Sequence, residues 1–197
     1  MKKLILTAVV MLASVASYAQ HAVGSFTLQP KIGMNIADLT DEDKSDARIG
    51  LAAGAEFEYQ VTDIVCVSFG ALYSMQGCTG TIDELDGKDV DVTFKLDYIN
   101  IPILANVYVA PGFAVKLGLQ PAFCINNKVK AKSGSNSAEG DGPDENTFDL
   151  SMPIGLSYEF SNFVIEGRYN FGLTKVYKDE DSKHSVFQFT VGYKLPL

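Results

Sequence analysis

The sequence predicts an all-β fold, an eight-stranded antiparallel up-and-down transmembrane β-barrel. The first reason is the length of its alternation. Phe148, Leu150, Met152, Ile154, Leu156, Tyr158 and Phe160 fall on one face of an extended strand, with Asp149, Ser151, Pro153, Gly155, Ser157 and Glu159 on the other. Side chains change side at every residue of a strand, so this is one two-faced element. Its length of about 13 residues exceeds the roughly 5–6 of most soluble strands and covers the roughly 9–11 of a tilted membrane-spanning strand. The second reason is that the pattern recurs along the chain. The third is that the connections between the segments alternate between short and long.

In order, the strands are expected at 26–37, 48–60, 64–76, 92–109, 113–129, 148–160, 163–174 and 185–195. The first sets Phe26, Leu28, Pro30, Ile32, Met34 and Ile36 against Thr27, Gln29, Lys31, Gly33 and Asn35. The fifth sets Phe113, Val115, Leu117, Leu119, Pro121, Phe123 and Ile125 against Ala114, Lys116, Gly118, Gln120, Ala122, Cys124 and Asn126. The seventh sets Phe163, Ile165, Gly167, Tyr169, Phe171 and Leu173 against Val164, Glu166, Arg168, Asn170 and Gly172. The eighth sets Phe187, Phe189, Val191, Tyr193 and Leu195 against Gln188, Thr190, Gly192 and Lys194. The fourth breaks the rule. Phe94, Leu96 and Tyr98 are apolar at even positions, whereas Ile99, Ile101 and Ile103 are apolar at odd ones. Either a β-bulge near Asp97 to Ile99 switches the faces, or the upper part of the strand stands above the membrane, where parity matters less.

Tight turns are expected at 61–63, 110–112 and 161–162, which are rich in turn formers. Between them lie polar loops at 38–47, 77–91, 130–147 and 175–184. With an even strand number, one end of such a barrel carries only turns and the other only loops. That asymmetry is typical of outer-membrane barrels, whose turns face the periplasm.

Residues 1–19 read as a signal peptide. Lys2 and Lys3 precede an apolar run from Leu4 to Val15, and Ser17 and Ala19 are small residues before a cleavage site at Gln20. The run is too short to cross a membrane as a helix. Residues 20–197 are then one outer-membrane barrel domain. Losing Lys2 and Lys3 from 16 basic residues leaves 14 against 24 acidic ones, a formal charge of −10. That balance argues against nucleic acid, which calls for a basic stripe.

Alternation alone does not say which face looks inward. A soluble lipocalin-like barrel has eight strands with its apolar face around a ligand. The alternating loop lengths favour the inverted, membrane arrangement. So do Phe26, Phe57, Tyr59, Tyr73, Phe113, Phe148, Tyr158, Phe160, Phe163 and Tyr193, aromatics near strand ends that suit interfacial girdles. So does charge. The polar face near the short-turn end carries Lys31, Glu56, Glu58, Lys116, Glu159, Glu166, Arg168 and Lys194, four positive and four negative. An eight-stranded barrel has an interior just wide enough to be filled by side chains, and charges enclosed there must be paired. These eight residues are expected to form a structural charge network inside the barrel.

The segments Gln29-Pro30-Lys31-Ile32-Gly33-Met34-Asn35, Leu96-Asp97-Tyr98-Ile99-Asn100-Ile101-Pro102-Ile103-Leu104 and Ile165-Glu166-Gly167-Arg168-Tyr169-Asn170-Phe171-Gly172-Leu173 resemble the PorT-like outer-membrane β-barrel family, widespread in the Bacteroidota. The resemblance spans essentially the whole mature chain. It implies an eight-stranded outer-membrane barrel, usually without an assigned activity, and some relatives belong to a protein-secretion apparatus. One departure concerns the end of the chain. Such barrels commonly finish on an aromatic residue, whereas here Leu195 takes that position, followed by Pro196 and Leu197.

Reactive chemistry is sparse. His184 next to Ser185, with Glu180 or Asp181 nearby, suggests a Ser–His–acid set, but adjacent strand residues point to opposite faces. His184 is expected at a solvated loop edge, and no catalytic residue is assigned. Cys66, Cys78 and Cys124 are expected as thiols, with Cys78 and Cys124 the better placed pair if any bridges. Acidic clusters mark loop 1 (Asp38, Asp41, Glu42, Asp43, Asp46), loop 2 (Asp83, Glu84, Asp86, Asp89, Asp91) and loop 3 (Glu139, Asp141, Asp144, Glu145). They lack the spacing of a dedicated calcium loop and read as solvated. No cofactor and no metal site is expected.

The expected role is that of a monomeric structural and interaction protein of the cell envelope, not an enzyme, with a plugged, salt-bridged interior. Its expected partners are outer-membrane lipid, lipopolysaccharide, and another envelope protein or a host surface. The alternative is a barrel that binds or transports a small hydrophobic ligand, or a component of a protein-secretion apparatus.

Overall fold

The computed structural model describes residues 22–40, 45–83, 89–133, 136–143, 146–177 and 182–197. The expected leader, 1–19, lies outside them. The elements are β1 (Phe26–Leu39), β2 (Ser45–Gln60), β3 (Val65–Asp83), β4 (Asp89–Asn100), β5 (Ile103–Ala110), β6 (Phe113–Ser133), β7 (Asn136–Asp141), β8 (Phe148–Phe160), β9 (Phe163–Gly172), β10 (His184–Tyr193) and β11 (Leu195–Pro196). Each pairs antiparallel with its neighbour. The ring closes where β10 returns to β1, from Lys31 opposite Gly192 to Leu39 opposite His184. Closure removes the open edges that a membrane would not tolerate.

Eight staves make the ring. β4 and β5 form one of them, because β3 pairs with both in a single register, Leu72 opposite Asn100 and Phe69 opposite Ile103. The interruption falls at Ile101 and Pro102, where proline has no N–H to give. Bonds from Gly70 N to Pro102 O (3.2 Å) and from Ile101 N to Pro121 O (2.8 Å) carry the ladder through it. β10 likewise continues past Lys194 into β11, which pairs with β1.

The outer face is apolar. Ile32, Leu117, Ile154, Leu156, Ile165 and Phe189 are all exposed, while their polar sequence neighbours Lys31, Lys116, Ser157, Glu166 and Gln188 are buried. A soluble barrel would show the reverse. At the short-turn end, Phe26 meets Tyr59 (4.6 Å between ring centroids) and Phe163 meets Tyr193 (5.0 Å). Toward the other end, Phe123 meets Phe148 (5.7 Å), and Tyr169 meets both Phe171 (4.2 Å) and Phe187 (4.5 Å). These two levels of rings bracket the apolar band as interfacial aromatics do.

Two expectations about strands need correction. The faces of the fourth stave do not switch. Leu96, Tyr98, Leu104, Asn106 and Tyr108 are all buried and even-numbered, and Ile103, Val107 and Val109 are exposed and odd-numbered. The register does shift between Asp97 and Tyr98, but Asp97 faces Asn126 and Tyr98 faces Cys124. The extra residue is therefore Ile125 on β6. Apolar residues at even positions simply point into an apolar upper interior. The long loops are also shorter than expected. β3 reaches Asp83, β4 begins at Asp89 and β6 runs for 21 residues to Ser133, where β7 folds back on it. Thr79, Thr81, Val90, Val92 and Thr93 are β-branched, and such residues extend pairing above the membrane.

Candidate functional site: the barrel interior

All eight predicted charges lie on the inward face and join one continuous chain. Arg168 Nη2 meets Glu56 Oε1 at 2.6 Å, and Glu56 Oε2 meets Lys31 Nζ at 2.8 Å. Lys31 meets Glu166 Oε2 at 3.0 Å, and the same oxygen takes Lys116 Nζ at 2.7 Å. Arg168 Nε closes a loop onto Glu166 Oε1 at 2.7 Å. Lys116 then reaches Glu58 at 3.5 Å, and Lys194 bridges Glu58 (2.6 Å) and Glu159 (2.8 Å). Lys194 also donates to the Tyr108 hydroxyl at 2.9 Å. The positions come from strand parity. β1 and β8 present odd residues inward, whereas β2, β6, β9 and β10 present even ones, so charges distant in sequence converge on one level.

Below the charges, Cys66, Tyr108 and Ala114 pack together at the short-turn end. Above them lies a level of amides and hydroxyls. Asn35 Nδ2 donates to Ser74 Oγ (2.9 Å), Gln188 Nε2 to Asn35 Oδ1 (3.0 Å) and Gln120 Nε2 to Ser151 Oγ (3.3 Å).

Asn35 also mends a fault in the wall. Pairing of β2 with β3 lapses between Ala47 and Ala52, with four residues on β2 against three on β3. Asn35 Nδ2 reaches Met75 O (3.0 Å) and Leu51 O (3.3 Å) across that gap, and Arg48 Nη1 donates to Gln76 O. On β3, Gly77 adopts φ 109° there, a conformation that L side chains rarely take. Asn35→Ala strips these carbonyls and the Gln188 amide of a partner. It is expected to lower stability by about 1–3 kcal/mol, the usual cost of orphaned buried polar groups. Urea unfolding from lipid vesicles measures it, and an unchanged midpoint would show that the gap needs no mending.

The upper barrel holds an apolar cluster beside buried Asp97, Asp149 and His184. Leu39, Cys78, Leu96, Tyr98 and Ala122 line it, with Phe94 and Cys124 against them. Val176 and Tyr177, from the connection after β9, descend into the same cluster. Their segment is held by Asn146 N to Val176 O (2.8 Å) and Val176 N to Ser182 O (2.9 Å). The signal was present in the apolar even positions Phe94, Leu96 and Tyr98.

His184 also departs from expectation. It is not a solvated edge: its exposure is 3%, and Nε2 lies 3.0 Å from the Tyr98 hydroxyl. Ser185 points the other way, its Oγ 2.7 Å from Tyr169 Oη. The two therefore share no proton. Glu180 and Asp181 lie outside the described residues.

Cys66, Cys78 and Cys124 are thiols. Cys78 stands opposite Phe94 and Cys124 opposite Tyr98. They are thus two staves apart and four residues out of step, well beyond the roughly 7 Å Cα reach of a disulfide. Of the acidic clusters, Glu139 contacts Lys95 (2.7 Å) and Lys128 (3.6 Å) rather than other carboxylates. The Lys95 ammonium beside it holds its carboxyl below the usual range. Asp41, Glu42, Asp43, Glu84, Asp86, Asp144 and Glu145 lie outside the described residues. Among the described residues, no three acids, histidines or cysteines group as metal ligands.

A family model described as an outer membrane protein beta-barrel domain matches residues 18–178. No curated protein matches the chain. Among solved structures, Ail, the attachment invasion locus protein of Yersinia pestis, is similar at 15% identity, with 88% of this chain and 100% of that chain covered and a TM-score of 0.50. The same protein in complex with the heparin analogue sucrose octasulfate is similar at 14% identity over 88% and 100% of the two chains, TM-score 0.51. Neisserial surface protein A is similar at 13% identity over 86% and 97%, TM-score 0.48.

Proposed function

The chain belongs to the outer membrane protein β-barrel domain family, and we propose that it acts in the outer membrane as a sealed structural and interaction protein, neither a pore nor an enzyme. Residues 1–19 serve as the leader that exports it. One observation carries the reading: the inward side chains form a buried ion-pair network below and an apolar cluster above. A chain of ion pairs spans the lower lumen, and Val176 and Tyr177 lie in the upper part among apolar side chains. In such a barrel contact with the surroundings runs through the outer surface and the extended upper strands. That leaves outer-membrane lipid, lipopolysaccharide, and an envelope protein or host surface as partners of a monomeric barrel. The complex of Ail with a heparin analogue supports an interaction role for a barrel of this architecture. The three strand motifs support a place in the PorT-like branch.

The alternative, carriage of a small hydrophobic ligand, has less support, because Val176 and Tyr177 of the chain itself pack into the apolar cluster. Single-channel recording of the pure protein in planar bilayers tests the sealed barrel. The expected record is flat, and stable nanosiemens openings would overturn the reading.

A further inference from the structure

Between the charges and the amides above them the inward residues become small. On β1 they run Lys31, Gly33, Asn35, and on β6 Lys116, Gly118, Gln120. On β2, Gly54 stands between Glu56 and Ala52. Three of the eight staves therefore send no side chain into the lumen between the two polar levels. Arg168 of β9 and Gln188 of β10 border that space and are register partners. Asn170 is the next inward residue above Arg168, and its own partners across the sheet, Pro153 and Val186, carry no polar side chain.

Three polar atoms at this place lack a mate. Arg168 Nη1, Asn170 Oδ1 and Gln188 Oε1 are buried and make no hydrogen bond among the described residues. Their residues are 3%, 3% and 1% exposed. Bonds elsewhere on two of these side chains fix which atom is left over. Arg168 turns Nη2 to Glu56 (2.6 Å) and Nε to Glu166 (2.7 Å), so Nη1 is the remaining arm of the guanidinium. Gln188 is fixed by relay. Asn35 Nδ2 donates to Met75 O and Leu51 O, and carbonyl oxygens only accept. Asn35 Oδ1 is therefore the acceptor for Gln188 Nε2 at 3.0 Å, which leaves Oε1 as the free end of that amide. Turning the Gln188 amide over would set two oxygens together.

The mixture of donor and acceptors identifies the ligand. An anion would suit the guanidinium but meet two carbonyl oxygens. A cation would suit the oxygens but meet the guanidinium. The fitting partner accepts one hydrogen bond and donates two, as water does, and buried waters typically make about three. Burial without any partner would cost each of these groups its hydration.

We propose that this level binds ordered water, one molecule accepting from Arg168 Nη1 and donating to Gln188 Oε1 and Asn170 Oδ1. The ion-pair chain lies below it and the apolar cluster above. The water joins the upper edge of the charge network to the amide level, and β9 to β10. This site goes beyond the role proposed for the barrel and does not open the lumen, because an isolated water carries no current.

The test is a crystal structure of the full mature barrel, grown once from sodium bromide and once from rubidium acetate. The expected result is one compact density peak within hydrogen-bond reach of Arg168 Nη1, Gln188 Oε1 and Asn170 Oδ1. It should be the same in both crystals and carry no anomalous signal. Bromide at that place would make it an anion site, rubidium a cation site, and either overturns the proposal. So does a level without density in which the three atoms turn onto protein partners. In micelles, the isotope-labelled barrel should show a long-lived water contact at the Gln188 side-chain amide, read as a nuclear Overhauser cross-peak. Asn170→Leu should weaken that cross-peak several-fold. Ser151→Ala, which removes the hydroxyl bonded to Gln120 on the same level, should keep it. A cross-peak unchanged by Asn170→Leu, or lost equally in Ser151→Ala, overturns the assignment to these three residues. The wild-type crystals decide even where a variant does not fold. Single-channel recording on the same preparation separates the two readings, because a silent barrel without the water refutes only the site.

Discussion

Glu166→Ala is expected to destabilise the barrel by about 3–5 kcal/mol, the cost of removing one partner from a buried ion pair and leaving the other uncompensated. Glu166 is the crossing point of the network, touching Lys31, Lys116 and Arg168. Lys31 and Arg168 retain Glu56 after its loss, but Lys116 keeps only Glu58 at 3.5 Å. An enclosed cation is left with a weak partner. Urea titration in lipid vesicles, together with the temperature at which the folded band disappears on a gel, measures the effect. The neighbouring variant Ile165→Ala, on the outer face, is the control and should be much milder. If the two behaved alike, the charges would be solvated and the lumen open.

Ile154→Arg is expected to cost about 2–4 kcal/mol in a bilayer, because an arginine near the midplane of the lipid face must be brought into hydrocarbon. Ile154 sits midway along β8 and is 41% exposed, with no protein to shelter a charge. The penalty belongs to the lipid, so it should shrink when the same variant is unfolded from short-chain detergent. Phe160→Arg, at the short-turn end of the same strand, should cost about 0–1 kcal/mol, as expected near an interface. A penalty independent of depth and solvent would mean that this face packs against protein.

Much of this architecture was legible because a filled membrane barrel imposes a period of two on every stave. That period alone placed Lys31, Glu56, Glu58, Lys116, Glu159, Glu166, Arg168 and Lys194 on one side, and they meet there. Legibility failed where the surroundings change. Above the membrane both faces of a strand tolerate polar residues, so 77–91 looked like loop although Thr79, Thr81 and Val92 lie in strands. Phe94, Leu96 and Tyr98 suggested a switch of faces, since an apolar inward position is indistinguishable from an outward one unless the lumen is known to be apolar at that height. His184 seemed exposed because the Tyr98 that receives it is 86 residues away in sequence. The fault between β2 and β3 left only Gly50 and Gly77 as traces, and neither announces an unpaired carbonyl.

The charge network has a consequence for how the chain matures. Lys31 belongs to the first stave, Glu166 and Arg168 to the seventh, and Lys194 follows the last long strand. The bond from Lys31 to Glu166 spans 135 residues. A partly assembled sheet therefore carries carboxylates whose cations have not yet arrived, and such a sheet gains little by entering the bilayer early. Insertion should be concerted with ring closure and slow, as expected where distant contacts must form together. A chain cut before β9 would wait at the membrane surface, open to the proteases that patrol it.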